Sequence, residues 1–89
     1  LNKEIKSVSV RDTRTRWGSC SPSGNLSFCW RLIFAPENIV DYVCAHEAAH
    51  LVELNHSPRF WQTVNQLVGE WKSSKKWLKE NGFRLHRYG

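Results

Sequence analysis

No methionine occurs in the 89 residues, and cysteine and proline are limited to three each. The cysteines, Cys20, Cys29 and Cys44, are odd in number, irregularly spaced and form no C-x-x-C pair. This excludes a disulfide framework and points to a reducing, cytoplasmic setting, although Cys20 and Cys29 are placed to face each other across a hairpin. Long apolar runs are also missing. None approaches the roughly 18 residues of a membrane span, so no membrane partner is expected. The opening, Leu1-Asn2-Lys3-Glu4, is polar and unlike a signal peptide. It carries no initiator methionine, so the expectation is one domain, residues 1–89, forming the C-terminal part of a longer protein. Acidic residues are outnumbered 8 to 13 by Lys and Arg, giving a net charge of +5. A chain this short buries a modest core and tends to lean on a metal or partner, although five Trp and four Phe supply large apolar area.

What is present has its centre at residues 46–56, His46-Glu47-Ala48-Ala49-His50-Leu51-Val52-Glu53-Leu54-Asn55-His56. Two histidines four apart with Glu47 after the first form H-E-x-x-H. On a helix they share one face about 6 Å apart along the axis, a spacing from which both imidazoles reach one tetrahedral ion. Glu47 lies about 100° around the helix from His46, offset enough to touch a metal-bound water instead of the metal. His56 is the candidate third ligand. It is off the helix face, so it requires Val52 to Leu54 to finish the helix and the chain to reverse near Asn55, a residue type that tolerates the left-handed conformation. Ala48 and Ala49 are small and are expected to leave room for metal and substrate. The competing reading is a buried helix whose histidines are satisfied by hydrogen bonds, but two His on an apolar face are costly without partners.

The remaining elements follow from period and punctuation. Residues 5–11 alternate as a half-buried strand, and residues 14–20 resume an extended path with Gly18 marking a bulge or close approach. Residues 21–25 form a hairpin loop. Residues 26–34 read as the best strand, with Leu26, Phe28, Trp30 and Leu32 on one face. Pro36 and Glu37 start the helix that carries the histidines. Ser57 and Pro58 cap a second helix that stops near Gly69, with Phe60, Trp61, Val64, Leu67 and Val68 as its apolar stripe. A third, short helix runs from Ser73 or Ser74 to Asn81 and ends at Gly82. The fold class is therefore α+β: a small antiparallel sheet packed on the H-E-x-x-H helix, followed by two shorter helices.

The linked set Arg16-Trp17-Gly18-Ser19-Cys20, Trp30-Arg31-Leu32, Pro36, Asp41-Tyr42-Val43, His46-Glu47-Ala48-Ala49-His50, Asn55-His56-Ser57 and Phe60-Trp61 resembles the YgjP-like metal-dependent hydrolases. These are small zincins similar in their core to SprT-like metalloproteases. The resemblance runs from about residue 5 to the C-terminus. It implies one Zn2+ per chain on His46, His50 and His56, Glu47 as general base, and a peptide or protein substrate whose bond is cut by a zinc-activated water. It also implies an extended substrate along a sheet edge above the metal, for which Leu26, Phe28 and Trp30 are the candidate residues. Ala48 departs from the leucine often found there, which is a packing change.

Other residues keep two readings. His86, Tyr88 and Arg59 are chemically able to support an oxyanion, yet each also suits surface or packing. Asp41 suits orienting a ligand histidine or pairing with Arg16 or Arg31. Glu53 suits solvent or a hydrogen bond to a ligand histidine. Basic residues collect at both ends: Lys3, Lys6, Arg11, Arg14 and Arg16, then Lys72, Lys75, Lys76, Lys79, Arg84 and Arg87. They read as a solvated surface in preference to a nucleic-acid footprint, and Trp17, Trp30 and Trp61 read as core in preference to a base-stacking set. Two alternatives to a peptidase stay open: a nucleic-acid-associated zinc domain acting on or binding protein–nucleic acid complexes, and a catalytically silent scaffold. The intact Glu47 argues against the scaffold.

Overall fold

The computed structural model describes residues 5–13 and 15–87. Lys3, Arg14 and Tyr88, named above for charge or chemistry, lie outside the described residues. In chain order the elements are β1 (Ser7–Arg11), β2 (Gly18–Cys20), β3 (Asn25–Cys29), a 3₁₀ turn (Trp30–Phe34), α1 (Glu37–Ala49), α2 (Pro58–Val68) and α3 (Lys72–Leu85). The α+β class holds. No helix among the described residues is long and apolar enough to cross a membrane.

The sheet is mixed instead of wholly antiparallel. Its order is β1-β3-β2. The hairpin pairs β2 with β3 antiparallel, Ser19 opposite Ser27, while β1 lies parallel to β3 with Val8 opposite Leu26 and Val10 opposite Phe28. Alternation has a period of two in either pairing, so sequence pattern does not distinguish them. Gly24 takes φ 97° in the hairpin loop, a conformation that glycine adopts without cost.

The expected long strand over residues 26–34 stops at Cys29. Beyond it the chain tightens into the 3₁₀ turn because Arg31 points inward and is fully buried. Its Nη1 donates to Asp12 Oδ1 at 2.6 Å and to the Thr13 carbonyl at 3.1 Å. Cys29 Sγ donates to the same carbonyl at 3.2 Å. Burial pushes the Cys29 thiol pKa up, but hydrogen bonds with Arg31 and Thr13 outweigh it and the net shift is downward. This knot fixes the loop after β1 against the end of β3. None of Cys20, Cys29 and Cys44 is in a disulfide.

The core lies around α1, which packs against β2, α2 and α3. Leu32, Tyr42, Val43, Ala45, Ala49, Phe60 and Val64 are its buried members, with Trp17, Phe28, Trp61 and Leu78 packed at its margin. Of the three tryptophans weighed as a stacking set, Trp17 and Trp61 thus pack at the core, while Trp30 pairs edge-on with Phe34. Pro36 is the N-cap of α1 and not its first helical residue. Ser57 caps α2 by accepting from the Phe60 N–H, and α2 ends at Gly69 with φ 78°.

Two helix expectations need correction. At 14 residues α3 is longer than α1 at 13, and it runs through Gly82 instead of ending there. Gly82 is kept in the helix by packing: a Cβ at that position would lie 3.1 Å from Trp17 Cζ2.

Removing an anionic partner of a buried guanidinium weakens the compensation of its charge. Asp12→Ala is therefore expected to lower stability by about 1–3 kcal/mol in urea unfolding. An unchanged midpoint would show that Asp12, whose side chain is 65% exposed, contributes nothing.

Candidate metal centre

His46 and His50 face the same way from α1, with ring centroids 5.2 Å apart. His56 comes back to them, 5.2 Å from His46 and 5.0 Å from His50. The reversal is earlier and tighter than expected. Helix α1 ends at Ala49, His50 is its C-cap, and the next turn switches to i→i+3 bonds, Leu51 N–H to Ala48 O and Val52 N–H to Ala49 O, both at 3.0 Å. No described non-glycine residue has positive φ, so Asn55 does not use the left-handed conformation. The Ser57 cap then sets the direction in which the chain leaves His56.

One ligand atom from each of His46, His50 and His56 lies within 4.8 Å of the others. A tetrahedral ion with metal–nitrogen bonds of about 2.0–2.1 Å separates its donors by about 3.4 Å, which small ring rotations reach from here. The tautomers suit that purpose. A carbonyl only accepts, so His50 Nδ1–H donates to the Glu53 carbonyl at 3.1 Å and leaves Nε2 with its lone pair. His46 Nδ1 donates in the same way to Glu47 Oε2 at 3.0 Å. His56 has its pKa lowered, first by burial and then by the repulsion its protonated form would meet from Lys75 and from protonated His46 and His50. A neutral imidazole is the form that binds metal. The donor set therefore fits an ion such as zinc.

Beneath the three rings sits Phe60, with no exposed surface. Its ring is 5.1, 4.6 and 4.8 Å from those of His46, His50 and His56. Trp61 flanks the site, 5.9 Å from both His46 and His56.

Glu47 is buried at 6% exposure and stands beside the ligand cluster without joining it. Its position depends on Gly18. A Cβ there would lie 2.9 Å from Glu47 Cγ, 3.1 Å from the Ser27 carbonyl and 3.2 Å from Phe28 Cδ1. The close approach expected at Gly18 is thus an approach to Glu47. Next to Glu47 and His46, Arg16, Trp17, Gly18, Tyr42, Val43 and Leu78 enclose a cavity of about 270 Å³. Tyr42 stands edge-on to His46 at 6.0 Å. Burial, with the negative charge of Glu47, pushes its phenol up to about 12, so it keeps its proton at neutral pH. Tyr42 was not singled out for chemistry from sequence, although its place four residues before His46 puts it on the same helix face.

The family model for the YgjP-like metallopeptidase domain matches residues 1–81. The chain belongs to this family. No curated protein and no solved structure matches it. Membership makes the chain part of a metallopeptidase family, for which the substrate is a peptide or protein. Together with the histidine cluster it points to a metal-dependent hydrolase.

Other residues named from sequence fall elsewhere. Leu26 and Phe28 lie on β3, the central strand, whose two edges are taken by β1 and β2, and Trp30 lies in the 3₁₀ turn. Among the described residues that strand has no free edge; the free edges of the sheet are those of β1 and β2, and β2 is the one packed on α1. Glu53 meets His50 through its backbone, while its carboxylate faces Arg59 Nε at 3.8 Å. Among the described residues the ion-pair partner of Arg31 is Asp12, and the ring nitrogens of His46 and His50 meet Glu47 and the Glu53 carbonyl instead of Asp41. Asp41 lines a cavity of about 570 Å³ with Asn38, Cys44 and Ala48, on the side of α1 away from the histidines. Ala48 thus faces away from the cluster, and Ala49 is packed in the core. His86 stacks on Trp17 with centroids 3.8 Å apart.

The contacts at Gly18 generate a direct test. Gly18→Ala forces Glu47, Ser27 or Phe28 to move and is expected to cost about 1–3 kcal/mol in denaturant unfolding. A neutral result would mean the Glu47 side chain swings away freely.

Proposed function

We propose that the chain is a zinc-dependent peptidase with His46, His50 and His56 as ligands and Glu47 as general base. The observation that carries this reading is the convergence of three imidazoles, two with Nδ1 already engaged, beside a buried carboxylate that is not itself in the ligand cluster. Bound zinc would supply Lewis acidity, making water a better nucleophile near neutral pH and polarising the scissile carbonyl. Glu47 accepts the proton of the attacking water and passes it to the leaving amine. The Glu53 carbonyl holds the ring of His50 in its orientation, as hydrogen bonds to ligand histidines do. Phe60 keeps water from the underside of the rings.

For the substrate, the free edge of β2 is the natural template, since an extended peptide adds to an unpaired strand through main-chain hydrogen bonds. A peptide paired there passes Gly18 and therefore Glu47. The cavity of about 270 Å³ beside Glu47 then takes one flanking side chain. The Tyr42 phenol is a protonated donor on its wall.

Two variants test the reading. Elemental mass spectrometry of the native chain is expected to find one zinc per chain, with His56→Ala losing zinc or binding it at least about tenfold more weakly. Glu47→Gln is expected to retain zinc and lose peptide hydrolysis by about 10²–10⁴-fold. Unchanged hydrolysis in Glu47→Gln would remove Glu47 from the mechanism. No zinc in the native chain after reconstitution would sink the metal site itself.

A further inference from the structure

Trp61 has two neighbourhoods. Towards α1 it meets His46 and His56. Away from them it stacks on Trp71 with centroids 4.0 Å apart and planes 20° from parallel. Lys75, on the first turns of α3, brings its Nζ to 4.8 Å from the Trp61 centroid and 5.8 Å from that of Trp71. Two indoles therefore hold an ammonium group one ring away from the histidine cluster. Its neighbour Lys76 reaches Glu80 at 3.9 Å, whereas among the described residues no carboxylate lies within ion-pair distance of Lys75.

Lys75 shares these two indoles with a groove of about 540 Å³ along one face of α2, whose lining is Pro58, Trp61, Gln62, Asn65, Gln66 and Trp71. Spacings of three and four residues put Pro58, Trp61, Gln62, Asn65 and Gln66 on one helix face. The lining combines flat apolar rings with carboxamides, which donate to and accept from a peptide backbone. No acidic side chain lines it.

We propose that this groove binds an acidic segment of the peptide substrate, with Lys75 pairing with an Asp or Glu carboxylate and Trp61 and Trp71 packing against the chain. The inference rests on the peptidase reading and adds a substrate class to it. A peptide is favoured over a nucleic acid because the groove shares Trp61 with the histidine cluster and is lined by amides, not by a run of cations. Lys75 acts here as a specificity-determining residue.

The test uses zinc-loaded chain and matched fluorescent peptides carrying Glu or Gln near the scissile bond. In cleavage assays the Glu peptide is expected to be preferred by roughly threefold, as for an exposed ion pair, with the preference shrinking as salt rises. Lys75→Gln is expected to abolish the preference and Lys75→Glu to reverse it towards Lys-containing peptides. Fluorescence anisotropy with the Glu47→Gln chain reads binding without turnover and is expected to rank the peptides in the same order. Equal treatment of Glu and Gln peptides in both assays, or a preference surviving Lys75→Glu, overturns the inference. So does a single-stranded oligonucleotide that binds more tightly than the Glu peptide in a Lys75-dependent way. If no peptide is cleaved but anisotropy still shows Lys75-dependent binding of the Glu peptide, the groove stands and the catalytic reading falls.

Discussion

The ring of Phe60 is the constraint on which the centre depends. It is buried against all three imidazoles, yet it belongs to the helix that begins just after the last of them. Because Ser57 accepts from the Phe60 N–H, the cap that starts α2 and the ring under the histidines are parts of one short segment. Tertiary packing and ligand geometry are thus the same event. The ring enters the core between α1 and α2, and in doing so it brings His56 back to His46 and His50. A helix pair that packed without it would leave the third imidazole without a fixed position.

The position of the carboxylate is set from the sheet. Gly18 opens the strand β2 and leaves space only for the Glu47 side chain. The hydrogen bonds of buried Arg31 and Cys29 to Asp12 and Thr13 tie the loop after β1 to the end of β3. Trp17 sits between these regions and the C-terminal helix, with His86 stacked on its face and Gly82 against its edge. The sheet, the catalytic-helix candidate and the last helix therefore meet at one short stretch, Arg16 to Gly18, which also walls the cavity beside Glu47.

Much of this was legible in the residues and some was not, for definable reasons. The shared face of His46 and His50 follows from helical period, whereas the return of His56 was expected from a left-handed Asn55 and is made instead by the tight turn after Ala49. The role of Glu53 was half legible: a partner for a ligand histidine was one of its two readings, but the group that serves is a main-chain carbonyl, which no residue type announces. The direction of β1 was hidden because parallel and antiparallel strands share one alternation. The end of β3 was hidden because a buried arginine looks like a surface residue until its partner, Asp12, is known. Gly82 read as a stop signal because glycine is common there, and only the distant Trp17 explains why it lies inside a helix.

The parallel pairing of β1 has a consequence for the order in which the molecule assembles. The β2–β3 hairpin and the α1–α2 pair join residues close in the chain, so their loop-closure entropy is small. Parallel registration of β1 on β3 closes a longer loop, as Ser7 pairs with Asn25 and Arg11 with Cys29. Its Val8 and Val10 stay 61% and 69% exposed, so little hydrophobic gain accompanies the docking. The strand that precedes the hairpin in the chain is in this sense a late arrival. All the residues of the histidine cluster and its carboxylate lie after it, in the part of the topology of lower contact order.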